Sequence, residues 1–340
     1  METPGERLVI KMWESLIDKG IGSLLRPGQI RREGRAYVEV RRDEMLVLAE
    51  AERDAAAIRS GQMRLSTGDD GRLRALPVPQ VSAAVSDTEP AQAALPAAVK
   101  TIGEGVIADG IRREVNVSKA IMAAEAELLE EKQAPPSRQI DTDWLFRWRD
   151  MASAVSTEEL QTLWGRVLAG EVKSPGAFSL RTLEFLKNVS QEEAQSIGIL
   201  SRFAAENFIF RGNDELLRAE GVHFGFLLAM QQLGVLSGVE ASNLTLTTRS
   251  RRTDTFEVGI VCNDRILIVS DPNPQKTFTL HCCQLTDVGR QIIRLGHFEA
   301  HEGYLRSLGE HVKSQGFRVR LARLTHTDED SVEYRDVVEL

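Results

Sequence analysis

The sequence predicts a mainly α fold, in which an N-terminal helical arm leads to a central helical bundle and then to a C-terminal α+β module that is winged-helix-like. Apolar residues recur at helical spacing through most of the chain up to about residue 236, and helix-capping residues precede several of these repeats in the centre. Beyond that point, short runs rich in Thr, Val, Ile and Phe indicate strands.

The composition indicates a globular protein with a sizeable core. The chain has 340 residues, of which 42% are hydrophobic, and this length suits two or three domains. Its net charge of −8 argues against a protein that coats nucleic acid over its whole surface. Three cysteines are too few for a disulfide framework, so we expect reduced thiols and a cytoplasmic location. No apolar run reaches the roughly 18 to 20 residues of a membrane span, and no signal peptide is recognisable.

Residues 1–60 are predicted to form N-terminal helices. An apolar stripe at helical spacing runs from residue 7 to residue 25, and we expect this helix to dock on the rest of the protein. The alternative is an interfacial membrane helix with Trp13 at the headgroup level, but its polar face is poor in Lys and Arg. A second helix, over residues 29–60, has few apolar residues, which favours charge pairs or a partner helix.

A change in composition marks residues 61–105 as a flexible linker. Glycines and prolines are frequent there, with Ser, Ala and Gln between them. Helical spacing returns over residues 106–135, which are predicted to form a second arm helix. Two thinly apolar helices with a flexible connection predict a hairpin arm, or else pairing of the second helix with another chain.

Residues 141–212 are predicted to form the central helical domain. Its helices are expected to begin after N-caps at Asp141, Ser156, Ser179 and Ser190. Ser156 and Ser190 each have a glutamate three residues later, which is the pattern of a capping box.

Residues 213–324 are predicted to form the C-terminal α+β module, and residues 325–340 an acidic tail. A helix and a turn precede four β-rich runs, and Asn263-Asp264 between two of them is typical of a hairpin. The succession of helix, turn, strands and the run LTDVGRQII resembles the end of a winged-helix unit, which is an analogy of fold alone.

The central run LWGRVLAGEVKSPGAFSLRTLEFLKNVSQEEA, residues 163–194, together with Asp143-Trp144, resembles a bacterial family known as domain of unknown function 2806. The segments Arg26–Arg32 and Arg113–Asn116 resemble the N-terminal half of that family, so the resemblance extends over most of the chain. Proteins with this centre are also similar to the alpha-type abortive-infection proteins of phage resistance. The resemblance implies a bacterial gene with a role in defence, and it supplies no catalytic residues.

The densest cluster of unusual residues lies around the predicted turn of the central domain. We interpret it as a structural hub in which Gly and Pro set the turn, Trp and Phe fill the core, and Glu171 pairs with Arg181 or caps the turn. The alternative is a surface for a partner protein, because Trp, Arg and Phe are frequent interface anchors. The residues singled out for either role are Trp164, Arg166, Glu171, Pro175, Phe178 and Arg181.

Two arginine-rich segments are candidates for phosphate contact, with nucleic acid or anionic lipid. The first lies in the second predicted helix, where acidic neighbours favour a solvated helix instead. The second precedes the first long strand run, at the position of a wing. The candidate residues are Arg31, Arg32, Arg35, Arg249, Arg251 and Arg252.

One grouping in the sequence resembles a metal site: His281, Cys282, Cys283, His297 and His301. Its spacing matches neither HExxH nor a standard zinc pattern, so we predict buried cysteines, surface histidines, no metal and no cofactor. The sequence also lacks a Gly-rich phosphate loop and a GxSxG nucleophile elbow.

These observations lead to a functional hypothesis that does not involve catalysis. We expect a non-enzymatic assembly or sensing protein of bacterial anti-phage defence, acting through helix-mediated oligomerisation and contacts with itself or a partner protein. The alternative is a nucleic-acid-binding regulator that uses the C-terminal module and the N-terminal arginines. An enzyme, such as a nuclease, is the least favoured hypothesis.

Overall fold

The computed structural model describes residues 3–22, 34–67, 73–77, 94–241, 244–327 and 332–340. The chain divides into two units, Met1–Leu183 (unit 1) and Glu184–Leu340 (unit 2).

Unit 1 is organised around one long helix. In chain order its elements are α1 (Pro4–Ile17), α2 (Gly34–Arg59), β1 (Met63–Thr67), β2 (Leu73–Pro77), α3 (Ala94–Leu129), α4 (Thr142–Ser153) and α5 (Glu158–Lys173), and α6 (Leu180–Asn188) spans the boundary between the units. Helices α1, α4 and α5 pack against α3. At the contact between α5 and α3, a Cβ added to Gly165 would lie 2.6 Å from Ala123 Cβ and 2.8 Å from the carbonyl oxygen of Ala120. This glycine therefore sets how closely the two helices approach.

The arm of unit 1 is formed by α2, which runs antiparallel to α3. The ammonium of Lys119 in α3 lies 2.8 Å from the carboxylate of Glu52 in α2. Farther along α2, Ile58 is buried in a small cluster with Ala108 of α3. The two predicted arm helices therefore lie side by side within one chain.

The outer part of α3, before Ala108, extends beyond the end of α2. The antiparallel β1–β2 hairpin lies beside it, with Met63 opposite Pro77 and Thr67 opposite Leu73. The backbone N–H of Leu65 in β1 donates a hydrogen bond to the carboxylate of Glu104 in α3 at 3.2 Å. The hairpin is thus tied to the outer half of α3.

Unit 2 consists of two antiparallel sheets and the helices around them. Its elements are α7 (Gln191–Ser201), β3 (Phe208–Phe210), α8 (Asp214–Ala219), α9 (Phe224–Gln232), β4 (Leu236–Ser237), β5 (Thr245–Arg249), β6 (Phe256–Cys262), β7 (Arg265–Asp271), β8 (Thr277–Leu285), α10 (Asp287–Ile293), α11 (Glu302–Ser314), β9 (Arg318–Thr327) and β10 (Val332–Glu339). One sheet has the order β3-β8-β4, with β5 also paired to β8, and the other has the order β10-β9-β7-β6. A tight turn with Gly221 at φ +84° joins α8 to α9.

Helix α11 closes the core of unit 2. Its Tyr304 is buried, and the hydroxyl accepts a hydrogen bond from the backbone N–H of Phe210 in β3 at 2.6 Å. A cluster of three phenylalanines lies between the strands, with ring centroids 4.8–5.9 Å apart: Phe256, Phe278 and Phe317. These contacts link residues that are distant in the sequence.

The predicted helix starts depend on local hydrogen bonds, and most are observed. Asp141, Ser179 and Ser190 accept backbone N–H bonds at the starts of α4, α6 and α7, as predicted. The cap of α5 is Thr157 and not the predicted Ser156. Ser and Thr are both favoured N-cap residues, so the sequence does not distinguish Ser156 from Thr157. The helix begins one residue later than expected.

The predicted mainly α fold is wrong. The described residues form three antiparallel sheets in addition to the helices, so the fold is mixed α+β. Only the α+β character of the C-terminal part agrees with the prediction. The range 61–105, predicted as a linker, contains β1, β2 and the start of α3, and the range 325–340, predicted as an acidic tail, contains the end of β9 and all of β10.

The strand β10 was missed for a physical reason. Every one of its side chains is exposed, so the apolar alternation that marks a half-buried strand is absent. Its order comes from backbone pairing with β9. Among the helices that the described residues form, none has the length and apolar character needed to cross a membrane.

Candidate functional sites

The turn between α5 and α6 is built around the buried carboxylate of Glu171. Its Oε1 accepts a hydrogen bond from the backbone N–H of Gly176 at 2.5 Å, and its Oε2 accepts one from Phe178 at 3.1 Å. Burial raises the pKa of this carboxyl, while the backbone N–H groups and the nearby Arg138 act in the opposite direction. Glu171 therefore caps the turn, and the cation that acts on it is Arg138 and not the predicted Arg181.

The aromatic residues of the same cluster are inside the fold. Trp164 and Phe178 are buried, and their backbone carbonyls accept hydrogen bonds from the indole N–H groups of Trp148 and Trp144, at 2.9 and 2.7 Å respectively. Of the remaining residues of the cluster, Arg166 and Pro175 are half-buried and Arg181 is exposed. This packing supports the hub interpretation over a partner surface, because the aromatic anchors are already used internally.

The arginines singled out for phosphate contact fall in two places. Arg31 and Arg32 lie outside the described residues, and Arg35 lies in α2 with its side chain outside them. Arg249, at the end of β5, and Arg251, in the loop that follows, are exposed. The structure thus describes only the second arginine segment at the level of side chains.

Arg252 in that loop is already paired with acidic residues. Its guanidinium lies 3.3 Å from the carboxylate of Asp254 and 3.0 Å from that of Glu257. These two contacts place two negative charges next to a side chain that a phosphate would have to reach.

Helices α8 and α9 carry a single basic residue, the exposed Arg218, which gives a phosphate backbone little to bind. Helix α9 contains neither Lys nor Arg, and its Phe224 is 53% exposed. Helix α8 begins with Asp214 and Glu215. Since nucleic-acid binding depends on cations that contact phosphates, this face favours a protein partner over DNA.

The cysteines are buried free thiols. Cys262, Cys282 and Cys283 form no disulfide, and burial raises the pKa of Cys283 to about 12. His301 caps α11, with Nδ1 accepting the backbone N–H of Tyr304 at 3.0 Å. Within the part of the chain that the structure describes, no three His, Cys, Asp or Glu side chains come together as a metal site requires.

An apolar surface is exposed on the outer half of α3. Ile102 is 66% exposed and Val106, one helical turn later, is 67% exposed, and we call this pair the α3 stripe. Gly103 and Gly110 on the same stretch have no atoms within 4 Å of the position that a Cβ would take. This part of α3 is therefore open to close approach by another helix.

A groove of about 1380 Å³ lies in unit 2. Its walls come from the segment before β3, the β6–β7 turn, α10, the chain that follows α10, and strands β9 and β10. The charged part of its lining consists of four arginines and three carboxylates: Arg290, Arg294, Arg323 and Arg335, and Glu206, Asp264 and Glu299. We call it the unit 2 groove.

Three arginines form a row across the sheet beside the groove. Arg323 in β9 is the register partner of Arg265 in β7 on one side and of Arg335 in β10 on the other. Arg265 forms an ion pair with Asp264 at 3.4 Å, and Arg335 forms one with Asp336 at 3.6 Å. For Arg323, in the middle, no ion pair is found among the described residues. Like charges directly opposite each other destabilise a sheet, so this row favours an added anion.

The opposite wall carries a second pair of arginines. Arg290 and Arg294 are four residues apart at the end of α10, so both lie on one helical face. Arg290 forms an ion pair with Asp287. Arg294 is exposed and has no ion-pair partner in the described ranges.

Glu206 lies at the edge of the same groove in an unusual backbone conformation. Its φ is +51°, which is uncommon for a residue other than glycine. Its backbone N–H donates to the carbonyl of Val261 at 2.8 Å. Although the residue contacts solvent, desolvation by the surrounding protein raises the pKa of its carboxyl, against the opposing effects of a Val261 backbone hydrogen bond and the charge of Arg251.

The unit 2 groove is not predictable from the sequence. Its cations come from α10, β9 and β10, and strand pairing alone brings Arg323 beside Arg335. The one local signal was the four-residue spacing of Arg290 and Arg294.

Comparison with known proteins confirms the family predicted from the central run. The model of a family described as a protein of unknown function, DUF2806, matches residues 108–309, which is more than half of the chain. The segment Arg26–Arg32, which also resembled this family, lies outside the matched range, and a likeness to abortive-infection proteins is not shown. No curated protein and no solved structure gives a significant match.

Proposed function

The chain belongs to the DUF2806 family, and we propose that it is a non-enzymatic assembly protein that associates with a second copy of itself through the α3 stripe. The observation that carries this proposal is the exposure of Ile102 and Val106, two large apolar side chains one turn apart on the same face of a helix. Exposed apolar surface of this kind on a helix is typical of a contact with another protein.

The arrangement of the stripe favours a second copy as the occupant. In antiparallel pairing of two α3 helices, Ile102 of one copy lies beside Val106 of the other, and the reverse contact follows by symmetry. Gly103 and Gly110 allow the two backbones to approach closely, because no described residue packs against their Cβ positions.

The position of the stripe in the fold supports the same proposal. The part of α3 before Ala108 extends past the end of α2, and the β1–β2 hairpin lies beside it at Glu104. The described residues of one chain therefore leave Ile102 and Val106 exposed, and a second helix would cover them.

Light scattering coupled to size-exclusion chromatography tests the proposal on the full chain. The wild type is expected to elute as a dimer or larger assembly at micromolar concentration, and Val106→Glu is expected to shift it to a monomer with an unchanged circular dichroism spectrum. Phe146→Glu is the matched control, because Phe146 is also exposed, at 43%, but lies in α4. A monomeric wild type, or equal dissociation in both variants, would contradict the proposal.

The wider role stays a prediction. Anti-phage defence was implied by the resemblance alone, and comparison of phage plating on cells with and without the gene tests it. Binding of duplex DNA at low salt tests the nucleic-acid alternative, which the acidic and apolar surface of α8 and α9 disfavours.

A further inference from the structure

We propose that the unit 2 groove is a binding site for a phosphorylated small molecule of the nucleotide class. This inference goes beyond the proposed self-association, since it concerns other residues in the other unit, and either one can fail without the other.

The cations of the groove define the charge of the ligand. Arg323 on the sheet and Arg294 on α10 line it, and neither has an ion-pair partner among the described residues. Each guanidinium presents several N–H donors in a plane, which matches two oxygens of a phosphate. A phosphate bound at Arg323 would also supply the anion that the row Arg265, Arg323 and Arg335 favours.

The acidic residues of the groove show that the ligand is more than an anion. Glu206 and Glu299 also line it, and carboxylates repel a phosphate. They suit hydrogen-bond donors of the same ligand, such as ribose hydroxyls or the amino groups of a base. An acidic side chain that accepts from a ribose hydroxyl is a known element of nucleotide recognition.

The size and lining of the groove agree with such a ligand. At about 1380 Å³ it exceeds the roughly 300–1,000 Å³ that is usual for small-molecule pockets, so a nucleotide fits with room for solvent. Phe298 is half-buried in its wall and offers an aromatic side chain on which a base can stack. The strained backbone of Glu206 is of the kind that is concentrated at binding sites.

Calorimetric titration of the full chain tests the proposal with three probes: a panel of nucleoside mono-, di- and triphosphates, inorganic pyrophosphate, and a single-stranded oligonucleotide. Saturable binding of at least one nucleotide, with weaker binding of pyrophosphate, is expected. Binding of the oligonucleotide alone, of pyrophosphate as tightly as any nucleotide, or of none of the three overturns the proposal.

Variants assign the binding to the groove. Arg294→Gln and Arg323→Gln are each expected to weaken nucleotide binding by about tenfold, as loss of a charge-assisted hydrogen bond does. Arg249→Gln is the matched control, because Arg249 is an exposed arginine of the same unit outside the groove. Equal affinities of the wild type and both groove variants would overturn the assignment.

Glu206→Gln tests whether Glu206 binds the hydrogen-bond donors of the ligand, its ribose hydroxyls or base amino groups, and not its phosphate. The variant is expected to weaken nucleotide binding and to leave pyrophosphate binding unchanged or stronger, since a negative charge is removed. A parallel loss for both probes would contradict the role given to Glu206. Thermal unfolding of each variant shows whether it is folded before the affinities are compared.

Discussion

The backbone N–H of Phe178 donates a hydrogen bond to Oε2 of Glu171 at 3.1 Å, across the turn that joins α5 to α6. Together with the bond from Gly176, it ties the irregular chain between α5 and α6, residues 174–179, to one buried carboxylate. The conformation of the turn between α5 and α6 therefore accounts for the Glu, Gly and Phe residues at these positions.

Glu171→Gln is expected to lower the free energy of unfolding by about 1–3 kcal/mol, because an amide NH₂ would face one of the two backbone donors and leave it unsatisfied. Denaturant unfolding of the full chain measures the change. Glu159→Gln, an exposed glutamate of the same helix, serves as the control and is expected to change stability by less than about 0.5 kcal/mol. Equal stability of the two variants would show that the turn does not depend on Glu171.

The same carboxylate predicts a pH dependence. Since burial raises its pKa, the folded state holds the proton more tightly than the unfolded state. The wild type is therefore expected to lose stability relative to Glu171→Gln as the pH rises from the unfolded pKa of about 4.3 through the raised folded pKa. Urea midpoints of both proteins across this range measure the effect, and a difference that is constant or grows with pH would refute it.

Gly165→Ala is expected to destabilise unit 1, because the added methyl group would meet Ala123 Cβ at 2.6 Å and force α5 away from α3. Overpacking of this kind costs about 1–3 kcal/mol, seen as a lower thermal midpoint. Gly105→Ala in α3 is the control: its Cβ position is open, so the better helix propensity of Ala is expected to raise the midpoint. A shift of the same sign in both variants would be evidence against this reading of the helix contact.

Tyr304→Phe is expected to destabilise unit 2 by about 1–3 kcal/mol, because it leaves the buried N–H of Phe210 without its acceptor. Tyr334→Phe is matched to it in chemistry, but Tyr334 is exposed in β10 and its substitution is expected to have little effect. Chemical denaturation of the two variants gives the comparison. Loss of stability in Tyr334→Phe alone would reverse the expectation.

The features that could be predicted from the sequence are those set by nearby residues. A cap such as Asp141 or Ser190 bonds to an N–H three residues away, so its signal lies in a short window. The family was recognisable for a similar reason, since the central run is contiguous.

The features that could not be predicted depend on distant pairing. β10 has no buried side chain and is ordered by β9, so its sequence resembles a tail. Arg323 and Arg335 meet only because two strands align, and Arg294 comes from the end of α10, before either strand begins. The unit 2 groove is therefore a product of the fold.

The continuity of α3 has a mechanical consequence. Its 36 residues correspond to a rod about 54 Å long at 1.5 Å per residue, and no loop interrupts it between the stripe at Ile102 and the contact with Gly165. The helix is held by its packing against α5 near Gly165, so a displacement of its outer part would tilt the packed part as well. A partner that binds at the α3 stripe would therefore change the angle between α3 and α5 at Gly165, far from Ile102 and Val106.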